Sequence, residues 1–152
     1  MPKYWLFKSE PESYSIEDLQ RDGTTPWSGV RNYQARNFMQ MMSVGDEGFF
    51  YHSSCAVPGV VGICRVVRAA YPDATAFDPR SEYYDPKSSP EHPRWMNVDV
   101  AFVRAFRDVV PLTRLREIAA LAKMPLLQRG QRLSVQPVSA VEWRAILKLG
   151  GT

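Results

Sequence analysis

The β-branched run from Val60 to Val67 constrains the fold more than any other stretch of the chain. A strand of that character belongs in the middle of a sheet. The segment before it, Glu47 to Ser53, alternates. Phe49, Tyr51 and Ser53 fall on one face, Phe50 and His52 on the other, and a Pro58-Gly59 turn makes the pair a hairpin. Met96 to Val109 reads as one long, bent strand. Tyr4 to Phe7 reads as a buried strand, ended by Pro11. Arg132 to Val138 alternates strictly, with Leu133 and Val135 inward and Ser134 and Gln136 toward the other side.

Helix signals lie between these strands. Ser15 with Asp18 forms a capping box for a short helix to about Gln20, and Asn32 opens a helix to about Met42. Pro111 starts a helix carrying Leu115, Ile118, Ala119 and Leu121, and Ser139 with Glu142 opens the last one. Strands and helices do not alternate as a doubly wound parallel sheet requires. The expectation is an α+β domain spanning 1–152, a small mixed β-barrel of five or six strands flanked by short helices.

A length of 152 residues suits one domain with a real core. The formal charge of +3 permits local basic patches and shows no polybasic tail. No apolar run is long enough to cross a bilayer, and the amino terminus carries no secretory signal pattern, so no membrane partner and a cytoplasmic location are expected. Cys55 and Cys64 stand apart from any paired Cys or His motif. A zinc site needs about four convergent ligands, so neither metal nor cofactor is expected. No catalytic constellation supports an enzyme, and enzymatic activity stays open as an alternative. His52 and Ser53 are neighbours on a strand and face opposite ways, no nucleophile elbow is present, and neither a phosphate-cradling loop nor a dinucleotide fingerprint occurs. His52 is expected to be structural, and the protein a binding module.

Residues Pro26 to Asn37 read either as a polar loop with one aromatic packed into the core, followed by a surface helix, or as a pocket for a flat, polar ligand beside an anionic backbone. An indole (Trp27), a tyrosine, two asparagines and two arginines (Arg31, Arg36) surround Gly29. Aromatic faces stack on bases, amides read base edges and arginines meet phosphate. Tyr51, Tyr83, Tyr84 and Trp95 are further aromatics near loops and strand ends, whereas Trp5 and Trp143 read as core. Ser9 at a strand end, Asn32 at a helix start, and Ser134 and Gln136 on a polar strand face are the groups placed to read a base edge. The proline-rich stretch Asp73 to His92, with its two adjacent tyrosines, reads as an ordered lid.

Six phrases together resemble EVE-domain proteins: Lys8-Ser9-Glu10-Pro11, Trp27 through Asn37, Phe50-Tyr51-His52-Ser53, Tyr83 through Ser88, Pro93-Arg94-Trp95 and Leu133 through Val138. The likeness runs from about Lys3 to Trp143 and is to the stand-alone, bacterial-type members. It implies a PUA-like fold related to domains that hold a methylated adenine in an aromatic cage, and recognition of modified bases, chiefly modified cytosines, in DNA or RNA. By that analogy Lys8-Ser9 and Trp27-Ser28 occupy the cage region, with Trp27 as one wall and Tyr84, ahead of Tyr83 and Trp95, as the second. The expected base pocket is Lys8, Ser9, Trp27, Ser28, Asn32, Tyr51, Tyr84, Ser134 and Gln136. Arg31, Arg36, Arg129 and Arg132 are the expected phosphate contacts. The expected partner is nucleic acid carrying modified bases, bound by a monomer. Trp27→Ala is expected to abolish binding and leave the fold intact. Two rivals stand beside this reading: a hydrolase of acylated cytidine using Lys8 or Glu10, and a peptide-binding module.

Overall fold

The computed structural model describes residues 3–130 and 133–150. In chain order its elements are β1 (Tyr4–Ser9), α1 (Ile16–Asp22), β2 (Thr24–Trp27), α2 (Tyr33–Gln40), β3 (Glu47–His52), β4 (Gly59–Pro72), β5 (Met96–Pro111), α3 (Leu112–Leu115), β6 (Val135–Val138) and α4 (Ala140–Gly150), with single 3-10 turns at Ala74–Phe77, Ala119–Leu121 and Pro125–Leu127. Six strands form one mixed sheet in the order β2-β5-β4-β3-β1-β6. β1 runs parallel to β3, and every other neighbouring pair is antiparallel.

The α+β reading and the Glu47–Pro72 hairpin hold, but the strands do not close into a barrel. Among the described residues β2 and β6 stay at opposite edges. Each edge strand is four residues long and carries a proline, Pro26 or Pro137, which has no N–H to extend a ladder. Strand β2 was not expected at all, because a Thr-Thr-Pro-Trp sequence reads as the approach to a loop. Pro26 is tolerated there because the strand lies at an edge.

Both faces of the sheet are covered. Trp5, Phe7, Trp27, Phe50, Val98 and Val135 pack under α1 and α2 through Leu19, Ala35 and Met39. Leu6, Phe49, Tyr51, Ile63 and Phe106 pack on the other face under Leu115, Leu121, Trp143 and Ile146. Successive residues of a strand point to opposite faces, so β1 and β3 must be apolar on both, and Tyr4–Phe7 and Phe49–Tyr51 are.

The capping boxes of α1 and α4 form as expected, and the Asn32 side chain accepts from the Ala35 N–H to start α2. The expected helix after Pro111 breaks up. It ends at Leu115, Ile118 is extended, and a 3-10 turn follows. Leu115, Ile118 and Leu121 are spaced by threes, which brings them to one side in tight turns as well as in an α-helix.

Candidate functional site

A cleft of about 600 Å³ opens where β1 and β2 end, within the roughly 300–1,000 Å³ range of small-ligand pockets. Lys8, Ser9 and Glu10 line it from the end of β1, Ser13 and Tyr14 from the turn before α1, and Thr25, Pro26 and Trp27 from β2. The loop Ser28–Asn32, Ser134 ahead of β6, and Tyr83 from the segment between β4 and β5 complete the lining. Six expected pocket residues therefore converge: Lys8, Ser9, Trp27, Ser28, Asn32 and Ser134.

The backbone explains the convergence. The Lys8 N–H donates to the Ser134 carbonyl at 2.7 Å and the Ser53 N–H to the Ser9 carbonyl at 3.0 Å, which ties three chain segments at one point. The Ser9 hydroxyl donates to the Tyr14 carbonyl at 2.8 Å and folds the turn before α1 against the mouth. Burial pushes the Lys8 ammonium below the ordinary lysine pKa.

Trp27 is a core residue as well as a wall. It is 8% exposed and packs edge-on against Phe7 and Phe50 at centroid distances of 5.2 and 5.5 Å. Trp5 and Trp95 donate their indole N–H groups to Asp46 and Asp85. Trp27 makes no such bond among the described residues.

Three expected pocket residues lie elsewhere. Gln136 is fully buried, with its Nε2 donating to the Leu133 carbonyl and its Oε1 without a partner among the described residues. Alternation put it opposite Val135 correctly, but that face is covered by the second core, where its β1 partner Leu6 also points. Tyr51 faces the same second core; burial pushes its phenol up to about 12. Tyr84 is exposed and does not line the cleft, whereas Tyr83 does.

The expected phosphate contacts separate likewise. All five guanidinium N–H groups of Arg31 are used inside the protein. Nε and Nη2 donate to the Tyr83 carbonyl at 3.1 and 2.7 Å, Nη2 to Thr75 Oγ1 at 3.2 Å, and Nη1 to Asp73 and the Val30 carbonyl at 3.1 and 2.9 Å. Arg36 donates to the Arg94 carbonyl and to Asn37, lies over the Tyr33 ring and is not at the cleft. Arg129 is exposed in a turn away from the cleft lining. Arg132 lies outside the described residues.

Sequence reasoning missed Asp73 and the role of Gly29. Asp73 is fully buried and accepts from the Gly29 N–H, Arg31, and the Thr75 N–H and hydroxyl. Burial alone would raise its pKa, but the hydrogen bonds from Thr75, Gly29 and Arg31 hold it below the ordinary aspartate value. The Asp-x-Thr pattern at 73–75 was a legible turn signal; its link to Gly29 was not.

Gly29 has φ of +80°, and a Cβ there would lie 2.7 Å from the Tyr83 ring. Gly29→Ala is expected to cost about 1–2 kcal/mol of stability from backbone strain and to push Tyr83 off its seat. Thermal denaturation reads the first effect and tyrosine-selective NMR shifts the second.

His52 is 8% exposed, and its Nε2 accepts the Ile16 N–H at 3.1 Å. It is a structural histidine. Burial pushes its pKa down against the opposing pull of Glu17 and Asp18. The native state therefore binds fewer protons than the unfolded chain below about pH 6.5, so stability is full above that pH and falls as pH drops through the folded value. Denaturant midpoints measured from pH 7.5 to 5 are expected to decline, and to decline less in His52→Gln.

Among the described residues no cluster of His, Cys, Asp and Glu is placed to hold a metal, and no helix is long and apolar enough to cross a membrane.

The EVE domain model matches residues 3–149, nearly the whole described chain. The chain belongs to the EVE domain family. Mouse thymocyte nuclear protein 1 is 46% identical to this EVE domain over an alignment covering 100% of the chain and 75% of the mouse protein. Among solved structures, a Pseudomonas putida protein superposes with a TM-score of 0.94 at 56% identity, covering 96% of this chain and 98% of the other. Human THYN1 protein, solved in complex with DNA containing 5-methylcytosine, superposes with a TM-score of 0.93 at 43% identity, covering 99% and 98%. The mixed sheet with its flanking helices is thus the EVE arrangement, a PUA-like fold.

Proposed function

We propose that this EVE domain binds a modified nucleobase, first of all a modified cytosine, swung out of a DNA or RNA strand into the cleft, and does so as a monomer in the cytoplasm. The observation that carries the proposal is the human relative bound to 5-methylcytosine DNA, whose structure matches this chain from end to end. The cleft supports it. Trp27 gives an aromatic wall, Tyr83 a second ring at the mouth, and Ser9, Asn32 and Ser134 hydrogen-bonding groups between them.

A flipped base stacked on an aromatic ring gains about 1–3 kcal/mol, against a few kcal/mol to leave its stack. A free base should therefore bind weakly and an oligonucleotide better. Arg129, exposed in its turn, and Arg132 remain the proposed phosphate contacts, since Arg31 has no donor to spare.

The test is a matched pair of oligonucleotides, one with 5-methylcytosine and one with cytosine, at one stated salt because phosphate contacts are salt-dependent. Burying one methyl group is worth about 0.8 kcal/mol, roughly fourfold in affinity, so the methylated strand should bind about that much tighter. Equal affinities would favour the peptide-binding rival. Lys8 and Glu10 stand at the same mouth, so release of cytidine from acetylated cytidine would favour the hydrolase.

A further inference from the structure

The Tyr83 ring at the cleft mouth belongs to a segment with little regular structure, yet it is held by a plane of contacts centred on Arg31. The guanidinium carbon lies 5.5 Å from the Tyr83 ring centroid and 5.4 Å from that of Trp95, and the guanidinium edge takes the Tyr83 carbonyl through two donors. Behind it, Trp95 donates its indole N–H to Asp85 at 2.7 Å and stacks on Tyr33 at 4.8 Å. Below it, the buried Asp73 holds both Arg31 and the Gly29 N–H. Gly29 is the residue on which the Tyr83 ring rests. One side chain thus joins the loop after Trp27 to the segment carrying Tyr83.

We infer that Arg31 is a positioning residue. It fixes the separation of the Tyr83 and Trp27 walls through the Tyr83 backbone and ring, and so sets the preference for a modified base. The inference rests on the base-binding reading of the cleft. A methyl group adds affinity only where both walls stay in contact with the base. A gap of about 0.5–1 Å already forfeits a quarter to a half of a van der Waals contact. Lysine cannot replace the fork. It keeps the charge beside Asp73, but an ammonium has three donors on one point and no plane to lie between two rings.

The test compares wild type, Arg31→Lys, Tyr83→Ala and the double variant. Each is titrated with the 5-methylcytosine and cytosine oligonucleotides by fluorescence anisotropy, at a temperature below its thermal midpoint. Arg31→Lys should weaken binding of both strands and lose the roughly fourfold preference for the methylated one. Tyr83→Ala should lose the same preference, and the double variant should lose nothing more, because Arg31 acts through Tyr83. A residue needed only for folding would lower the thermal midpoint and leave the preference in the folded fraction unchanged. Arg31→Lys with wild-type preference, beside a Tyr83→Ala that has lost it, overturns the positioning role and leaves the base-binding reading standing. A wild type without preference removes that reading and this role with it. If Arg31→Lys does not fold, Thr75→Val removes one Arg31 acceptor and should narrow the preference; an unchanged preference there overturns the role equally.

Discussion

Trp27→Ala should destabilise the protein by about 3–5 kcal/mol, the usual cost of deleting a buried tryptophan, and lower the thermal midpoint by roughly 10 °C for a chain of this size. The indole is 8% exposed and packed edge-on between Phe7 and Phe50. Its loss leaves a hole in the core under α1 and α2 as well as a missing cleft wall. This corrects the sequence-based expectation that the fold would survive the substitution unharmed. Urea denaturation measures the effect, with a lower midpoint and an unchanged slope marking a stability change alone. It also means that lost binding in Trp27→Ala proves nothing about stacking. Trp27→Phe, which keeps an aromatic edge against Phe7 and Phe50, is the variant in which binding can be interpreted.

Asp73→Ala should cost about 3 kcal/mol or more, in the range for breaking a buried ion pair by removing one partner. The Asp73 side chain is 1% exposed and that of Arg31 23%, so water cannot readily replace the lost carboxylate. The Gly29 N–H, the Thr75 N–H and one arm of Arg31 all lose their acceptor together. The Tyr83 segment should loosen first, visible as faster amide hydrogen exchange there than in the sheet. The same carboxylate makes the segment acid-sensitive. Its folded pKa lies below the unfolded value of about 3.9, so its contribution is complete above that pH and disappears as pH falls through the folded value. Asp73→Asn should flatten stability against pH below about 4.

Much of this was legible in the sequence because strands and caps carry local signals. The β-branched run at 60–67 lies within β4, a central strand, and Ser15, Asn32 and Ser139 mark three helix starts. The end of β1 and the loop after Trp27 meet at one mouth, as the phrases Lys8-Ser9 and Trp27-Ser28 led us to expect. The misreadings arise where a local signal does not determine a long-range contact. Alternation says which residues of a strand oppose each other, but not whether the opposite face is wet. Gln136 is expected to read a base edge in the pocket, yet it is sealed by the second core. Tyr83 and Tyr84 are adjacent in a segment with no period, so nothing local separates them. What turns Tyr83 to the cleft is its carbonyl on Arg31 and its ring on Gly29, two contacts more than fifty positions away in the chain. Arg31 itself looked like any cation near an aromatic loop. Only the fold shows that its donors are already taken.

The most direct measurement is a crystal structure of the chain with a short oligonucleotide containing one 5-methylcytosine. The account predicts that base out of its stack, in the cleft, with its ring between Trp27 and Tyr83 and Arg31 still bound to the Tyr83 carbonyl. A methylated base left paired within its helix, or seated anywhere other than against Trp27, would contradict it.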